Sequence, residues 1–184
     1  MLDANITIEK VNLENCTLDL LSKFNRYQEV KRCWRKENDV WKLKDIVFTE
    51  NWDDERKQNE VENFICCIES GGVVLGAYAD NILIGFSCIK NQSFGRQNNY
   101  IRLEMLHVSF GFRNKGIGRQ LFTQICESAR MLGAKKLYIT AHSSEESQAF
   151  YKMVGCCETL ELDQTLHERE PFDCHLEYDL YYSL

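Results

Sequence analysis

The chain has 184 residues, 44% of them hydrophobic, which suits one compact domain over residues 1–184 with a single core. A net charge of −6 and a pI near 5.3 run against a nucleic-acid-binding surface, which would show basic clustering. Met1 to Lys10 has no basic stretch leading into an apolar run, and no apolar segment is long enough to span a bilayer, so the sequence reads as a soluble protein of cytoplasmic type.

In chain order, Ile6, Ile8 and Val11 predict a first strand, and Leu18, Leu20, Leu21 and Phe24 a short helix. A polar stretch containing tryptophans follows, with Lys31 to Lys36 read as a solvated basic face carrying one apolar anchor, Trp34. From Asp53, the spacing of Val61, Phe64, Ile65 and Ile68 predicts a helix whose acidic start suits the helix dipole and which Gly71-Gly72 ends. Val73 to Tyr78 and Ile82 to Ile89 flank Asp80-Asn81 as an antiparallel hairpin, and Tyr100 to Val108 continues the meander. A helix runs from Ile117 to Leu132 and stops at Gly133; Lys136 to Thr140 is a strand that the crossover makes parallel to the Leu103 strand. Ser143 with Glu146 forms a capping box for a further helix ending at Gly155. Cys157 to Leu162 and Cys174 to Leu180 read as a terminal pair of strands joined by a loop around Pro171, the sole proline.

The most informative segment is Leu103 to Arg119, a strand feeding a turn with three glycines and then an amphipathic helix carrying Leu121, Phe122 and Ile125 on one side. Such a junction presents backbone N–H groups to a phosphorylated ligand. Gly111 and Gly116 have the spacing of a nucleotide-triphosphate loop, but Ile117 and Gly118 stand where its Lys and hydroxyl residue belong. The dinucleotide fingerprint fails as well, because position 121 is Leu where its third glycine would be.

What remains, Arg-x-x-Gly-x-Gly over Arg113 to Gly118, closely resembles the pyrophosphate loop of the GNAT superfamily of acyl-CoA-dependent N-acyltransferases. The resemblance extends to Leu103 to Val108, similar to the family's LExLxV strand, and to Ser147 to Cys156, similar to its Ala-x-x-Phe-Tyr-x-x-x-Gly-Phe helix. It covers roughly positions 72 to 160, with Ser147 replacing the usual Ala and Ser144 standing where many members have Asn. It implies an α+β (mixed α/β) GNAT fold: a mixed, mostly antiparallel sheet with a splayed parallel strand pair, flanked by helices.

The resemblance also implies acetyl-CoA as co-substrate and transfer of its acetyl group to a primary amine of a small molecule or peptide. The pyrophosphate is expected on the N–H groups of Asn114, Lys115, Gly116, Ile117 and Gly118, with Arg113, Lys115 and Arg119 adding charge. The pantetheine arm is expected along Leu106, His107 and Val108, by backbone pairing at an open strand edge. Ser144 is carried over as a further cofactor contact.

Aminolysis needs a neutral amine, yet an alkylamine of pKa about 10.4 is almost wholly protonated at pH 7, so a base is useful. Glu104 matches the strand position where family members often carry such a carboxylate; alternation alone equally allows it on the exposed face of a half-buried strand. Tyr151 matches the family's tyrosine near the thioester sulfur and is the candidate acid for the departing thiolate; otherwise it packs beside Phe150. Acceptor recognition is expected in Phe24 to Trp52 and Gln164 to Asp173, with Trp34, Trp41, Trp52 and Phe48 as an aromatic wall or as core beneath a loop.

No metal site is expected: of nine cysteines, Cys66-Cys67 and Cys156-Cys157 are adjacent pairs, and no Cys-x-x-Cys occurs. The cysteines read as reduced, mostly buried small apolar residues. A homodimer is an expectation from the family. The reading of a different class is a non-catalytic acyl-CoA-binding sensor or interaction module of the same fold, against which Glu104 and Tyr151 count.

Overall fold

The computed structural model describes residues 5–181. Its frame is a seven-stranded sheet. The strands are β1 (Ile6–Lys10), β4 (Val73–Ala79), β5 (Ile82–Phe94), β6 (Tyr100–Val108), β7 (Lys136–Ala141), β9 (Cys174–Asp179) and β8 (Cys157–Glu158), in that spatial order. All neighbours are antiparallel except β6 and β7, which run parallel from Tyr100 beside Lys136 to Leu103 beside Ile139. The fold is therefore the mixed, mostly antiparallel α+β architecture expected.

The sheet is covered on both faces because its central strands are apolar on both. Helix α2 (Ile117–Met131) sets Ile117, Leu121 and Ile125 against Leu75, Ala77, Ile84, Leu103 and Ile139. Helix α1 (Asp54–Glu69) sets Val61, Phe64 and Cys67 against Leu83, Phe86 and Cys88 on the opposite face. Each fully buried Leu, Ile or Phe in these layers contributes about 1.5–3 kcal/mol relative to exposure. Asp53 caps α1 by accepting from the Arg56 N–H at 2.7 Å, and Asp80-Asn81 turns the β4–β5 hairpin with both residues at positive φ, 49° and 61°.

Four expectations need correction. Leu18 to Phe24 forms no helix. Its bonds close four-residue turns, from the Leu20 N–H to the Thr17 carbonyl, Ser22 to Asp19 and Phe24 to Leu21, and Leu21 and Phe24 enter the α1-side core without an α-helix. The polar stretch that follows is a long hairpin, β2 (Gln28–Glu37) and β3 (Val40–Glu50), turned by Asn38 and Asp39 at φ 50° and 61°. Two of its basic residues are matched by carboxylates, Arg32 by Glu145 at 2.7 Å and Lys36 by Glu158 at 2.6 Å.

The cap of helix α3 (Glu145–Met153) sits one residue later than the capping box predicts. Ser144 accepts from the Ser147 N–H, while the Ser143 hydroxyl accepts from Arg35 at 2.6 Å. Between the short β8 and β9, a helix α4 (Gln164–Arg169), capped by Asp163, stands in what reads in sequence as a loop.

Candidate active site

Strand β6 is irregular where the site begins. Its partners on β5 step from Cys88 beside Met105 to Ile89 beside Leu103, so Glu104 has no opposite residue and forms a bulge. On its other side the pairing with β7 stops at Leu103 and Ile139, while β6 continues to Val108. The two parallel strands thus part company at the bulge. A cavity of about 570 Å³ opens in the gap, walled by Glu104 to Val108, the following loop, the start of α2 and the Ser147–Tyr151 face of α3.

The loop presents amides to this cavity. Asn114 and Gly116 take positive φ, 62° and 80°, and Gly116 caps α2 without any side-chain cap bond. The N–H groups of residues 114 to 119 consequently find no acceptor among the described residues, at the helix end where the dipole favours an anion. The two glycines serve different needs. A Cβ on Gly116 would point into open space, so its backbone angle is what calls for glycine; a Cβ on Gly118 would lie 3.2 Å from the Phe150 ring. Arg113 donates through Nε to the Val108 carbonyl at 3.0 Å, which ties the loop to the end of β6 and leaves its terminal nitrogens to the cavity.

Of the sequence-derived site residues, Glu104, Tyr151, Leu106, His107, Val108, Arg113, Asn114, Gly116, Gly118 and Arg119 all line this one cavity. Three do not line it. Lys115 is exposed, with its ammonium 5.2 Å from the Phe112 ring; Ile117 lies in the α2 core; Ser144 is fully buried, with its hydroxyl bonded to Ser147 at 2.9 Å.

Glu104 faces the cavity with Arg102 as its ion-pair partner at 3.7 Å, and its side chain is 21% exposed, so it does not stand on an open solvent face. Among the described residues the Tyr151 hydroxyl has no hydrogen-bond partner, and burial holds the phenol above its ordinary value, neutral throughout the physiological range. His107 packs edge-on against Trp52 and Phe86, with ring centroids 5.1 and 5.5 Å away. Burial first, then the charges of Arg26, Arg113 and Arg56, hold it well below an ordinary histidine, so it is a neutral packing group near pH 7.

The model of the acetyltransferase (GNAT) family matches residues 34–156. The chain belongs to that family. No curated protein matches its sequence significantly. Among solved structures it is similar to a candidate streptothricin acetyltransferase from Bacillus anthracis str. Ames in complex with acetyl coenzyme A, at 16% identity and TM-score 0.71, covering 97% of this chain and 99% of that one. It is likewise similar to a nourseothricin acetyltransferase, at 16% identity and TM-score 0.68, covering 95% and 98%. A third similar structure is PaiA N-acetyltransferase from Thermoplasma acidophilum in complex with coenzyme A, at 19% identity and TM-score 0.59, covering 95% and 99%. At these identities the likeness to solved structures concerns the fold.

In this GNAT protein the far end of the cavity is built by the two segments outside the most family-like region. The hairpin side supplies Arg26, Gln28, Glu50, Trp52 and Arg56; the C-terminal side supplies Glu170 and Asp173. Trp52 alone of the aromatic set lines the cavity, with the Arg26 and Arg56 guanidinium carbons each 5.8 Å from its ring. Phe48 meets the His142 ring at 5.8 Å, and Trp41 donates to Glu158 at 3.2 Å.

His142, unremarked in the sequence, accepts the Ser144 N–H on Nδ1 at 3.1 Å, so its Nε2 carries the proton and faces Glu50 at 3.8 Å. Burial lowers its proton affinity despite Glu50. Among the described residues no cluster of three or more His, Cys, Asp or Glu could hold a metal ion, and no helix is long and apolar enough to cross a membrane.

Proposed function

We propose that this protein, acting as one domain, moves the acetyl group of acetyl-CoA to a primary amine by direct attack, with Glu104 as the base and Tyr151 as the acid. One observation carries the reading: the bulge that frees β6 from β7 puts Glu104, Tyr151 and the unpaired amides before α2 around a single cavity. The pyrophosphate belongs on those amides with Arg113 and Arg119, and the pantetheine arm beside Leu106 to Val108, the edge β7 leaves open. Lys115, exposed on the loop, adds long-range attraction.

The amine nitrogen, once Glu104 has taken its proton directly or through water, bonds to the thioester carbon; the carbon–sulfur bond breaks, the thiolate takes the phenol proton of Tyr151, the extra proton on the new amide nitrogen restores the phenol, and Glu104 passes its own proton to water. Burial keeps the phenol protonated while making it a weaker acid, so its proton moves only as negative charge develops on the departing sulfur. None of the nine cysteines lines the cavity, and burial raises Cys126 to about 12 and Cys156 higher still, which favours direct transfer over an acyl-cysteine. Nine unpaired thiols and use of acetyl-CoA suit a cytoplasmic setting.

The test is acetyl-CoA turnover against a panel of polyamines, aminoglycosides, amino acids and peptide N-termini. Release of CoA dependent on one amine class supports the reading. Tight acetyl-CoA binding with no turnover across the panel favours a sensor of the same fold instead.

A further inference from the structure

The far end of the cavity holds a carboxylate that its own cations leave unmatched. Arg26 is committed to Glu50 at 3.0 Å and Gln28 at 2.9 Å, and Arg56 to Glu60 at 2.6 Å. Asp173 is different. It lines the cavity half-buried, and among the described residues it has no ion pair and no side-chain hydrogen bond.

Its position is nonetheless fixed. The segment leading to it is tied down where Glu177 accepts from Thr159 and the Leu160 N–H at 3.1 and 3.2 Å, and where Tyr138 accepts the Asp163 N–H at 3.1 Å. The Asp173 N–H closes on Glu170 at 3.1 Å, and β9 begins at the next residue. A carboxylate held this firmly in a partly desolvated wall calls for a cation, because burying an unpaired charge is costly.

The reacting amine cannot be that cation, since it must be neutral to attack. A second amino group can. We propose that Asp173 holds a second, non-reacting ammonium group of the acceptor, so that the acceptor is a di- or polyamine. This rests on the acyl-transfer reading above for the identity of the reacting partner, but its test does not require turnover.

The electrostatics agree. Burial, then Glu170 at the end of α4 and Glu50 of β3, push the Asp173 carboxyl up to about 6, against the opposing pull of Arg35 of β2 and Arg102 of β6; the phenol of Tyr151 on α3 faces it uncharged. A bound ammonium favours the carboxylate, so binding is full above that value and weakens as pH falls through about 6, where Asp173 must first lose a proton.

The experiment measures, by calorimetry in the presence of CoA, the affinities of diaminopropane, diaminobutane and diaminopentane, each against the alkylamine of the same length. A charge-assisted contact of this kind predicts a diamine preference of about tenfold or more in the wild type for at least one length. Asp173→Asn should bring that ratio to about one. If Asp173→Asn does not fold, the wild-type diamine affinity measured from pH 8 to pH 5 decides alone: it should fall through about 6.

Equal affinities for diamine and monoamine in the wild type, a ratio undiminished in Asp173→Asn, or a flat pH dependence overturns the proposal. Preference without acetyl transfer would retain the ammonium site and sink the acyl-transfer reading.

Discussion

Gly118 and Phe150 meet where three walls of the cavity join: a Cβ on Gly118 would lie 3.2 Å from Phe150 Cε2 and 3.7 Å from Val108 Cγ2. The first turn of α2, the body of α3 and the end of β6 are therefore packed to the limit of a missing side chain. Gly116, two residues earlier, faces open space at φ 80°. The Gly-x-Gly pattern thus records two unrelated physical demands, one of packing and one of backbone angle.

The two glycines should fail differently. Gly118→Val should destabilise the protein by about 1–3 kcal/mol through overpacking. Gly116→Val places a β-branched residue at positive φ and puts bulk before the free amides, so it should also abolish stabilisation by acetyl-CoA, which in the wild type is about 2.7 kcal/mol at a hundredfold excess over Kd. Thermal unfolding with and without acetyl-CoA measures both. An undiminished ligand shift in Gly116→Val would remove the loop from the binding site.

Much of this was legible in the sequence because it rests on local rules. The run of Ile117, Leu121 and Ile125, the glycines around them and the Asp80-Asn81 turn each fix an element by periodicity or backbone angle. The β2–β3 hairpin was not legible, since its strands are rich in charge and its outer residues alternate only weakly, although Asn38-Asp39 is a turn signal of the same kind as Asp80-Asn81. Leu18 to Phe24 has a helical apolar pattern, but docking Leu21 and Phe24 under α1 settled its shape. Glu50, Trp52, His142 and Asp173 meet only through tertiary packing, so no spacing announces them. The bulge at Glu104 is equally silent, because it is a mismatch of register between two strands.

Tyr151→Phe should lower turnover while leaving acetyl-CoA affinity nearly as it was, because the hydroxyl acts only as the thiolate departs. Stability should hold too, since the hydroxyl bonds to none of the described residues and its removal strands no partner among them. Steady-state kinetics on matched amounts of folded protein check this, and equal turnover would leave Tyr151 as packing.

Glu104→Gln should depress the rate most near neutral pH, where the amine is almost wholly protonated, and recover part of the deficit at alkaline pH. A pH–rate profile of both proteins on the same amine makes the comparison. A deficit constant across pH would assign Glu104 to positioning the acceptor.

His107 links the site to acid stability. Its folded-state value lies well below the ordinary 6.5, so the unfolded chain binds its proton more tightly, and the stability it contributes is present above about 6.5 and lost as pH falls below it. His107→Phe should flatten the fall in stability between pH 6.5 and 5, read from denaturant unfolding at each pH. An unchanged slope would mean that His107 is hydrated in solution.

The most direct test of the central claim is the intact mass of the protein and of the amine, each followed before and after the two substrates are combined. With acetyl-CoA alone the protein mass should stay that of the unmodified chain; on adding the accepted amine, acetyl should appear on the amine with one CoA released per product. An acetylated cysteine formed before the amine is added, or CoA release without acetylated amine, would contradict direct transfer.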